Sequence, residues 1–219
     1  MLVNLTEDLP KHCVVAVSGG ADSVFALKWL SSLQHHRVMG VAHFNHNSGD
    51  FSEYSADFVN CLAMDLGVEF YYSKCPTPIE DIPKVHSKEA FWSNARHDFF
   101  SRITTEASVE VVTAHTLDDC VEHYIMSTMI RGKMDVIEYR RGHILRPMRL
   151  TKKVKIKKFL SENKISHLED PYNEKSLRGK IRKHLLPELT KISPGLYRLV
   201  SDLVKGTRKI RTSRVRKGP

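Results

Sequence analysis

The sequence predicts an α/β protein with a doubly wound parallel sheet, followed by a helical basic extension at the C-terminus. Three observations favour this class. Short β-branched runs alternate with segments of helical period through the first 145 residues. A glycine pair directly follows the first apolar run, and the balance of charge changes sign after residue 145. Strands that alternate with helices of this length form right-handed βαβ units, which build a parallel sheet covered on both faces.

The front of the chain contains five predicted strands and four predicted helices. Short apolar runs predict strands at 12–17, 37–43, 68–72, 109–113 and 143–145. Helical spacing of apolar side chains predicts helices at 22–33, 53–66, 87–106 and 117–130. Gly67 follows the second helix as a C-cap, and three prolines predict a loop or lid at 75–83.

The rear of the chain is predicted to be helical. A basic helix is expected at 151–163, a second helical stretch at 178–191 apart from Pro187, and a last helix that ends near Val204. We therefore expect three parts: a sheet domain at 1–150, a helical basic extension at 151–204, and a disordered basic tail at 205–219.

The net charge of the 219 residues is +9, but it is divided unevenly along the chain. Residues 1–145 hold 12 basic and 19 acidic side chains, so their net charge is −7. Residues 146–219 carry a net charge of +16. This asymmetry excludes a uniformly basic coat protein and indicates a polyanion that contacts the rear of the molecule.

Several other classes of protein do not fit the sequence. No apolar run approaches the ~18 residues that span a bilayer, and the N-terminus lacks the pattern of a signal peptide. The four cysteines are widely spaced and form no C-x-x-C pair, which argues against a zinc site, an iron–sulfur site or a disulfide framework. We expect a cytoplasmic protein with no membrane partner.

The strongest motif directly follows the first predicted strand and opens a helix. It consists of Ser18, Gly19, Gly20, Ala21, Asp22 and Ser23. The glycines let the backbone approach an anion, and the helix N-terminus directs N–H groups at it. Asp22 could hold a magnesium ion against phosphate oxygens. The alternative is a tight strand-to-helix turn that Ser or Asp caps, and no lysine completes a Walker A pattern.

This motif resembles the pyrophosphate-binding loop of the ATP pyrophosphatase, or PP-loop, family. Within that family the chain most resembles the tRNA(Ile)-lysidine synthetases, in a short form that lacks their C-terminal domains. The resemblance implies a Rossmann-like fold of the adenine nucleotide alpha-hydrolase type, with residues 1–150 as the nucleotide-binding domain. The supporting segments, in the family's order, are 41–46 (VAHFNH), 89–96 (EAFWSNAR), 113–122 (TAHTLDDCVE, with Ala114 in place of glycine), 131–132 (RG), 146–147 (RP) and 170–182 (DPYN to IR).

The chain also departs from the family pattern. Residues 47–49 are Asn-Ser-Gly where the family usually has Gly-Leu-Arg, so an arginine is missing there. Thr116 replaces a second histidine, Cys120 replaces glutamine, and Gly179 replaces asparagine.

The resemblance assigns roles to individual residues. Asp119 is expected to be the general base for an incoming amine, and His115 to contact the reacting phosphate or base. The backbone of Ala42 is expected to contact the adenine edge. Arg96 is a candidate partner for a phosphate or a substrate carboxylate, although a surface ion pair explains it nearly as well. The Arg131-Gly132 pair is expected to grip ATP phosphates, the alternative for Arg131 being a helix-dipole contact.

Helical spacing gives an independent reason to single out the Asp119 segment. His115, Asp119 and Glu122 share one face of the predicted helix, at the sheet edge where doubly wound folds bind ligands. Thr116 and Asp119 also fit a reciprocal capping device, which would be purely structural.

The expected function is that of an ATP-dependent tRNA-modifying ligase. The C2 oxygen of an anticodon cytidine would attack the α-phosphate of ATP, and free lysine would displace AMP to form lysidine. ATP, Mg²⁺, lysine and tRNA are the implied cofactors and partners. The crowded lysines at 152–158 would contribute to a tRNA surface. Two alternatives stay open: tRNA 2-thiolation by the same adenylation chemistry, and a nucleotide- or RNA-binding module without catalysis.

Overall fold

A six-stranded sheet with helices on both faces forms the centre of the protein. The computed structural model describes Val3, Leu5, residues 7–78, Asp81, residues 88–171 with side chains from Phe91 onward, and residues 176–207. Most of the predicted tail, much of the predicted loop at 75–83, the side chain of Glu89 and residues 172–173 of the last motif lie outside the described residues.

The strands follow the expected positions closely. They are β1 (His12–Ala16), β2 (Arg37–Asn45), β3 (Glu69–Lys74), β4 (Glu110–Val112), β5 (Arg140–Arg141) and β6 (Ile144–Leu145). Their order in the sheet is β3-β2-β1-β4-β6-β5. All neighbouring pairs are parallel except β5 with β6. The predicted α/β class with a doubly wound, mostly parallel sheet is confirmed.

The antiparallel edge strand β5 was not expected. It contains only two residues, both of them exposed arginines, so it has no apolar pattern that sequence reasoning could detect.

The helices cover the two faces of the sheet and extend beyond its last strand. They are α1 (Ala21–Ser31), α2 (Asp50–Leu66), α3 (Lys88–Ala107), α4 (Leu117–Arg131), α5 (Lys153–Glu162), α6 (Leu177–Lys180), α7 (Leu186–Ile192) and α8 (Leu196–Val204). Within the part of the chain that the structure describes, no helix is both long and apolar enough to cross a membrane.

A π-helical turn, Ile181–Leu185, carries the chain from α6 into α7. The sequence suggested an interruption at Pro187, because proline lacks an N–H and its ring clashes with the carbonyl four residues earlier. The π turn stands immediately before Pro187, which occupies the first turn of α7. The wider turn lets the helical path continue through the proline, since a proline is tolerated in a first turn.

The basic extension packs directly on the sheet domain. Ile156 and Leu160 of α5 are fully buried in the same cluster as the apolar residues of β1 and α1. The ring of Phe159 meets that of Phe25 edge to face, with 5.3 Å between centroids. Val200 of α8 belongs to a second cluster, built on α4. These contacts fix the start of α5 beside the loop that follows β1.

Candidate functional site

Two loops meet at the carboxyl edge of the sheet, where the strand order reverses. One loop joins β1 to α1 and the other joins β4 to α4, and these two strands are neighbours. In open α/β sheets such a reversal leaves a crevice outside the strand ends, which is where ligands bind. The motif at 18–23 and the His115–Asp119 segment therefore face the same crevice.

The 18–23 segment, called here the phosphate loop, requires glycine at its second position. Gly19 has φ of +88°, a conformation that side chains disfavour. A Cβ at this position would lie only 2.9 Å from Leu168 Cδ1. The backbone of Leu168 also braces the loop, because its N–H donates to the Gly19 carbonyl at 2.9 Å.

Helix α1 begins without a side-chain cap. Its N-cap residue is Gly20, and no side chain among the described residues bonds the first amides of the helix there. The Ser23 hydroxyl is used inside the loop, where it donates to the Gly20 carbonyl at 2.9 Å and accepts from the Ser18 N–H at 3.1 Å. The Ser23 N–H also donates to the Gly20 carbonyl, at 3.1 Å, so the amides of Ala21 and Asp22 and the helix dipole are what the loop offers to an anion.

A single lysine bridges the carboxylates of the two loops. Lys153 Nζ lies 3.2 Å from Asp22 Oδ2 and 3.0 Å from Asp119 Oδ1. Burial raises the pKa of Asp22, and the charge of Lys153 partly opposes that shift. The sequence groups Lys153 with the lysines that are expected to contact tRNA. In the structure its side chain is only 20% exposed. Nothing in the run of lysines at 152–158 indicates that Lys153 is the one that turns inward.

Asp119 performs the capping role that the sequence left as an alternative. Its Oδ2 accepts from the Thr116 N–H at 2.8 Å and from the Thr116 hydroxyl at 2.6 Å, and the two residues form a capping box. Burial alone would raise the pKa of Asp119, but the charge of Lys153, the bonds from Thr116 and, in strong acid, the protonated ring of His115 outweigh it and hold the pKa at about 2. The remaining oxygen, Oδ1, faces Lys153 in the crevice.

His115 is a partly buried, neutral imidazole. Burial and the positive charge of nearby arginines outweigh the attraction of Asp119 and lower the pKa of His115 to about 3. Its Nδ1 lies 3.1 Å from the Thr113 hydroxyl oxygen. A neutral ring of this kind can donate or accept a hydrogen bond near a phosphate at neutral pH.

Two buried ring nitrogens without partners belong to residues near Arg96: Trp92 lies one turn before it on α3, and the charge of Arg96 adds to burial in lowering the pKa of His46. His46 Nδ1 and Trp92 Nε1 are buried and have no hydrogen-bond partner among the described residues. Burial lowers the pKa of Arg96, and the positive charge of Arg178 adds to this effect. Buried polar groups are normally satisfied, and uncompensated positive charge of this kind favours an anionic ligand. The surface ion pair considered for Arg96 is not present among the described residues.

The remaining predicted site residues lie elsewhere. Ala42 is within the sheet, where its carbonyl accepts from the Val17 N–H at 2.8 Å. Arg131 and Gly132 are at the C-terminal end of α4, whose N-terminal end carries Asp119. At a rise of 1.5 Å per residue, roughly 18 Å of helix separates Asp119 from Arg131. The predicted contacts of Ala42 with adenine and of Arg131-Gly132 with phosphate stay predictions without geometric support.

Glu122 is a structural residue in this arrangement. Its carboxylate is fully buried and accepts two bonds from Arg182, at 2.6 and 3.0 Å. This pair joins α4 to the π-helical turn of the extension. The helical spacing placed Glu122 correctly beside Asp119, but only the fold brings Arg182, sixty residues away, to meet it.

The donor set at the two loops fits a magnesium ion bound together with ATP. Asp22 and Asp119 approach each other closely enough to share one ammonium group. Magnesium takes one or two carboxylates together with phosphate oxygens, and the uncapped start of α1 is the place for those phosphates.

Comparison with known proteins agrees with the geometry of the phosphate loop. Residues 2–189 match the family described as the PP-loop domain. A tRNA(Ile)-lysidine synthase of Bdellovibrio bacteriovorus is 29% identical over 204 residues, which cover 89% of this chain and 62% of that protein. A tRNA(Ile)-lysidine synthase of Streptococcus thermophilus is 32% identical over 196 residues, which cover 84% of this chain and 43% of that protein. The chain thus spans less than two thirds of the length of these relatives.

Solved structures resemble the fold at low sequence identity. A U34-tRNA thiolase from Methanococcus maripaludis superposes with a TM-score of 0.71 at 14% identity, covering 97% of this chain and 77% of that one. An NMN synthetase from Francisella tularensis gives a TM-score of 0.51 at 11% identity, covering 94% of this chain and 90% of that one. At these identities the likeness shows the fold alone.

Proposed function

This chain belongs to the PP-loop family, and from that membership we propose that it is an ATP-dependent tRNA-modifying ligase that joins lysine to an anticodon cytidine. One observation carries the proposal. The uncapped N-terminus of α1 and the carboxylates Asp22 and Asp119 converge at the strand-order reversal. Relatives that align over most of this chain bear the name tRNA(Ile)-lysidine synthase, which supports lysine as the co-substrate.

The first step activates the base. The phosphate loop holds the phosphates of ATP on the amides of α1, and the C2 oxygen of cytidine attacks the α-phosphorus. The bond from that phosphorus to the α,β-bridging oxygen breaks, and pyrophosphate leaves. Asp22 would hold magnesium, which would withdraw negative charge from the leaving pyrophosphate.

The second step replaces AMP by lysine. The amine of lysine forms a bond to C2, the bond from C2 to the adenylate oxygen breaks, and AMP leaves. A free lysine amine has a pKa of ~10.4, so a proton has to be removed for attack. Asp119 Oδ1 faces the crevice and accepts this proton. The charge of Lys153 is the largest influence that lowers the pKa of Asp119 against the effect of burial, so the carboxylate becomes more basic when the ammonium moves away.

Arg96 and the two buried, unpartnered ring nitrogens of His46 and Trp92 provide an anion subsite for the same reaction. Arg96, His46 and Trp92 lie on the segments that follow β2 and form α3. The lysine carboxylate or a tRNA phosphate would satisfy them. Arg96 thereby retains the binding role that the sequence suggested for it.

The exposed lysines of α5 form the tRNA-facing surface. This surface comprises Lys152, Lys155, Lys157 and Lys158. Phosphate contacts by such side chains release counterions and give affinity without base specificity. Specificity has to come from the crevice, where a loop nucleotide leaves its stack and enters the site.

The thiols of the chain do not favour 2-thiolation. Burial raises the pKa of Cys13 and of Cys120 to about 12, so these thiols remain protonated and poorly nucleophilic. Cys75 is also buried, and Cys61 is exposed on α2.

Incorporation of labelled lysine into RNA tests the proposal. Purified protein incubated with ATP, labelled lysine and bulk tRNA is expected to yield labelled tRNA together with AMP and pyrophosphate. Asp119→Ala is expected to abolish both signals, whereas Asp57→Ala, an exposed position on α2, leaves them unchanged.

Two outcomes would contradict the ligase. Labelled sulfur in the tRNA, with no lysine incorporated, would indicate thiolation. AMP formation that is near zero in both the parent and Asp119→Ala would indicate a binding module without catalysis.

A further inference from the structure

Lys153 is held beside the phosphate loop by a backbone that cannot easily move. It is the first residue of α5, and its N–H donates to Asp118 Oδ2 at 2.8 Å. The other oxygen of Asp118 accepts from the Tyr197 hydroxyl at 2.9 Å. Asp118 thus replaces the missing side-chain cap of α5 and fixes its first residue with respect to α4.

The side chain of Lys153 is, in contrast, able to change partners. Its Nζ is the cation that Asp22 and Asp119 share among the described residues. An ammonium on a four-carbon stem binds as a point charge and can reach several neighbouring acceptors without movement of the backbone.

The phosphate loop contains no cation of its own. Residues 18–23 include no lysine or arginine, whereas a Walker A loop supplies a lysine to the phosphates from its own sequence. Lys153 Nζ lies 3.2 Å from the carboxylate of Asp22, which is in the first turn of α1. The fold therefore brings to this loop, from 130 residues further along the chain, the charge that its sequence omits.

We propose that Lys153 is an exchangeable internal counter-ion of the site, whose ammonium pairs with Asp22 and Asp119 in the free protein and passes to the phosphates of ATP when magnesium binds Asp22. This inference rests on the proposed ATP site. It assigns Lys153 a positioning role at the loop and removes it from the tRNA-facing surface.

Opposite effects on metal and nucleotide binding distinguish this role from a merely structural one. Lys153→Met removes the competing charge, so Mn²⁺ should bind the nucleotide-free protein about 10- to 100-fold more tightly, the size expected for one charge-assisted contact. The same variant loses a phosphate contact, so α,β-methylene-ATP with Mg²⁺ should bind about 10- to 100-fold more weakly. A structural defect would weaken both.

The experiment measures Mn²⁺ binding by electron paramagnetic resonance and binding of the ATP analogue by calorimetry. Lys155→Met is the matched control, because Lys155 is exposed on the same helix, and both affinities should equal those of the parent. Lys153→Gln repeats the test with a polar side chain in case Lys153→Met does not fold.

Three results would overturn the inference. The Lys153 variants could bind Mn²⁺ and the ATP analogue as tightly as the parent, they could bind both ligands more weakly, or the Lys155 control could show the same changes in affinity as the Lys153 variants. Absence of the proposed ATP site gives a different result, since the parent itself would then not bind α,β-methylene-ATP. The Mn²⁺ measurement would still decide whether Lys153 competes for the two carboxylates.

Discussion

At the scale of single residues, the site combines structural and chemical roles in the same side chains. Asp119 caps α4 through one oxygen and faces Lys153 through the other. The sequence presented capping and catalysis as alternatives, but the two oxygens of a carboxylate allow both. Asp118 likewise caps α5 across the crevice, besides its favourable place at the start of α4.

Histidines that are buried as neutral groups predict a loss of stability in mild acid. The pKa of His115 is about 3 in the folded protein and ordinarily 6.5. Between these values the unfolded chain takes up a proton that the folded chain refuses, so the free energy of unfolding falls as the pH falls from 6.5 toward 3. From pH 7 to pH 5, this amounts to about 2 kcal/mol for His115.

Urea unfolding at pH 7 and pH 5 measures this dependence. His115→Gln should lose less stability over the interval than the parent, whereas His35→Gln, an exposed position, should behave like the parent. Equal losses in the parent and in His115→Gln would show that His115 is not the partly buried, neutral group described here.

At the scale of elements, contacts between segments distant in sequence hold the crevice together. The phosphate loop could be recognised from its own six residues, because its glycines and the following helix are local features. The roles of three other residues could not be recognised from the sequence, since each contacts its partner only through the fold. These residues are Lys153, Arg182 and Leu168. The edge strand β5 and the π turn before Pro187 were missed for lack of any periodic signal.

The bond between α4 and the extension should be essential for stability. Arg182→Met leaves the fully buried carboxylate of Glu122 without its partner, which is expected to destabilise the protein by about 3–5 kcal/mol. Lys180→Met, an exposed neighbour, should have little effect. The double variant Glu122→Leu/Arg182→Met should recover most of the loss, because no charge is then left buried.

Urea unfolding midpoints of the four proteins decide this point. If Arg182→Met were within about 1 kcal/mol of the parent, a size ordinary for an exposed pair, the ion pair would not be the link between α4 and the extension.

At the scale of the whole molecule, the uneven charge matches the two parts of the proposed reaction. The net charge of +9 is an average over a front of −7 and a rear of +16. The acidic front contributes two carboxylates to the site. Asp22 suits a metal ion, and Asp119 suits the positively charged amine of the lysine substrate. The rear contributes the exposed lysines of α5, and also Lys153, which turns from that surface into the acidic site.

The most direct test of the central claim is to determine which bond of ATP the protein breaks in the presence of tRNA and lysine. With ATP labelled at the α- and γ-phosphates, we expect one AMP and one pyrophosphate for each lysine incorporated, and no turnover without tRNA. The α-label should thus appear in AMP and the γ-label in pyrophosphate. ADP and inorganic phosphate as the products would contradict a PP-loop site of the kind described here.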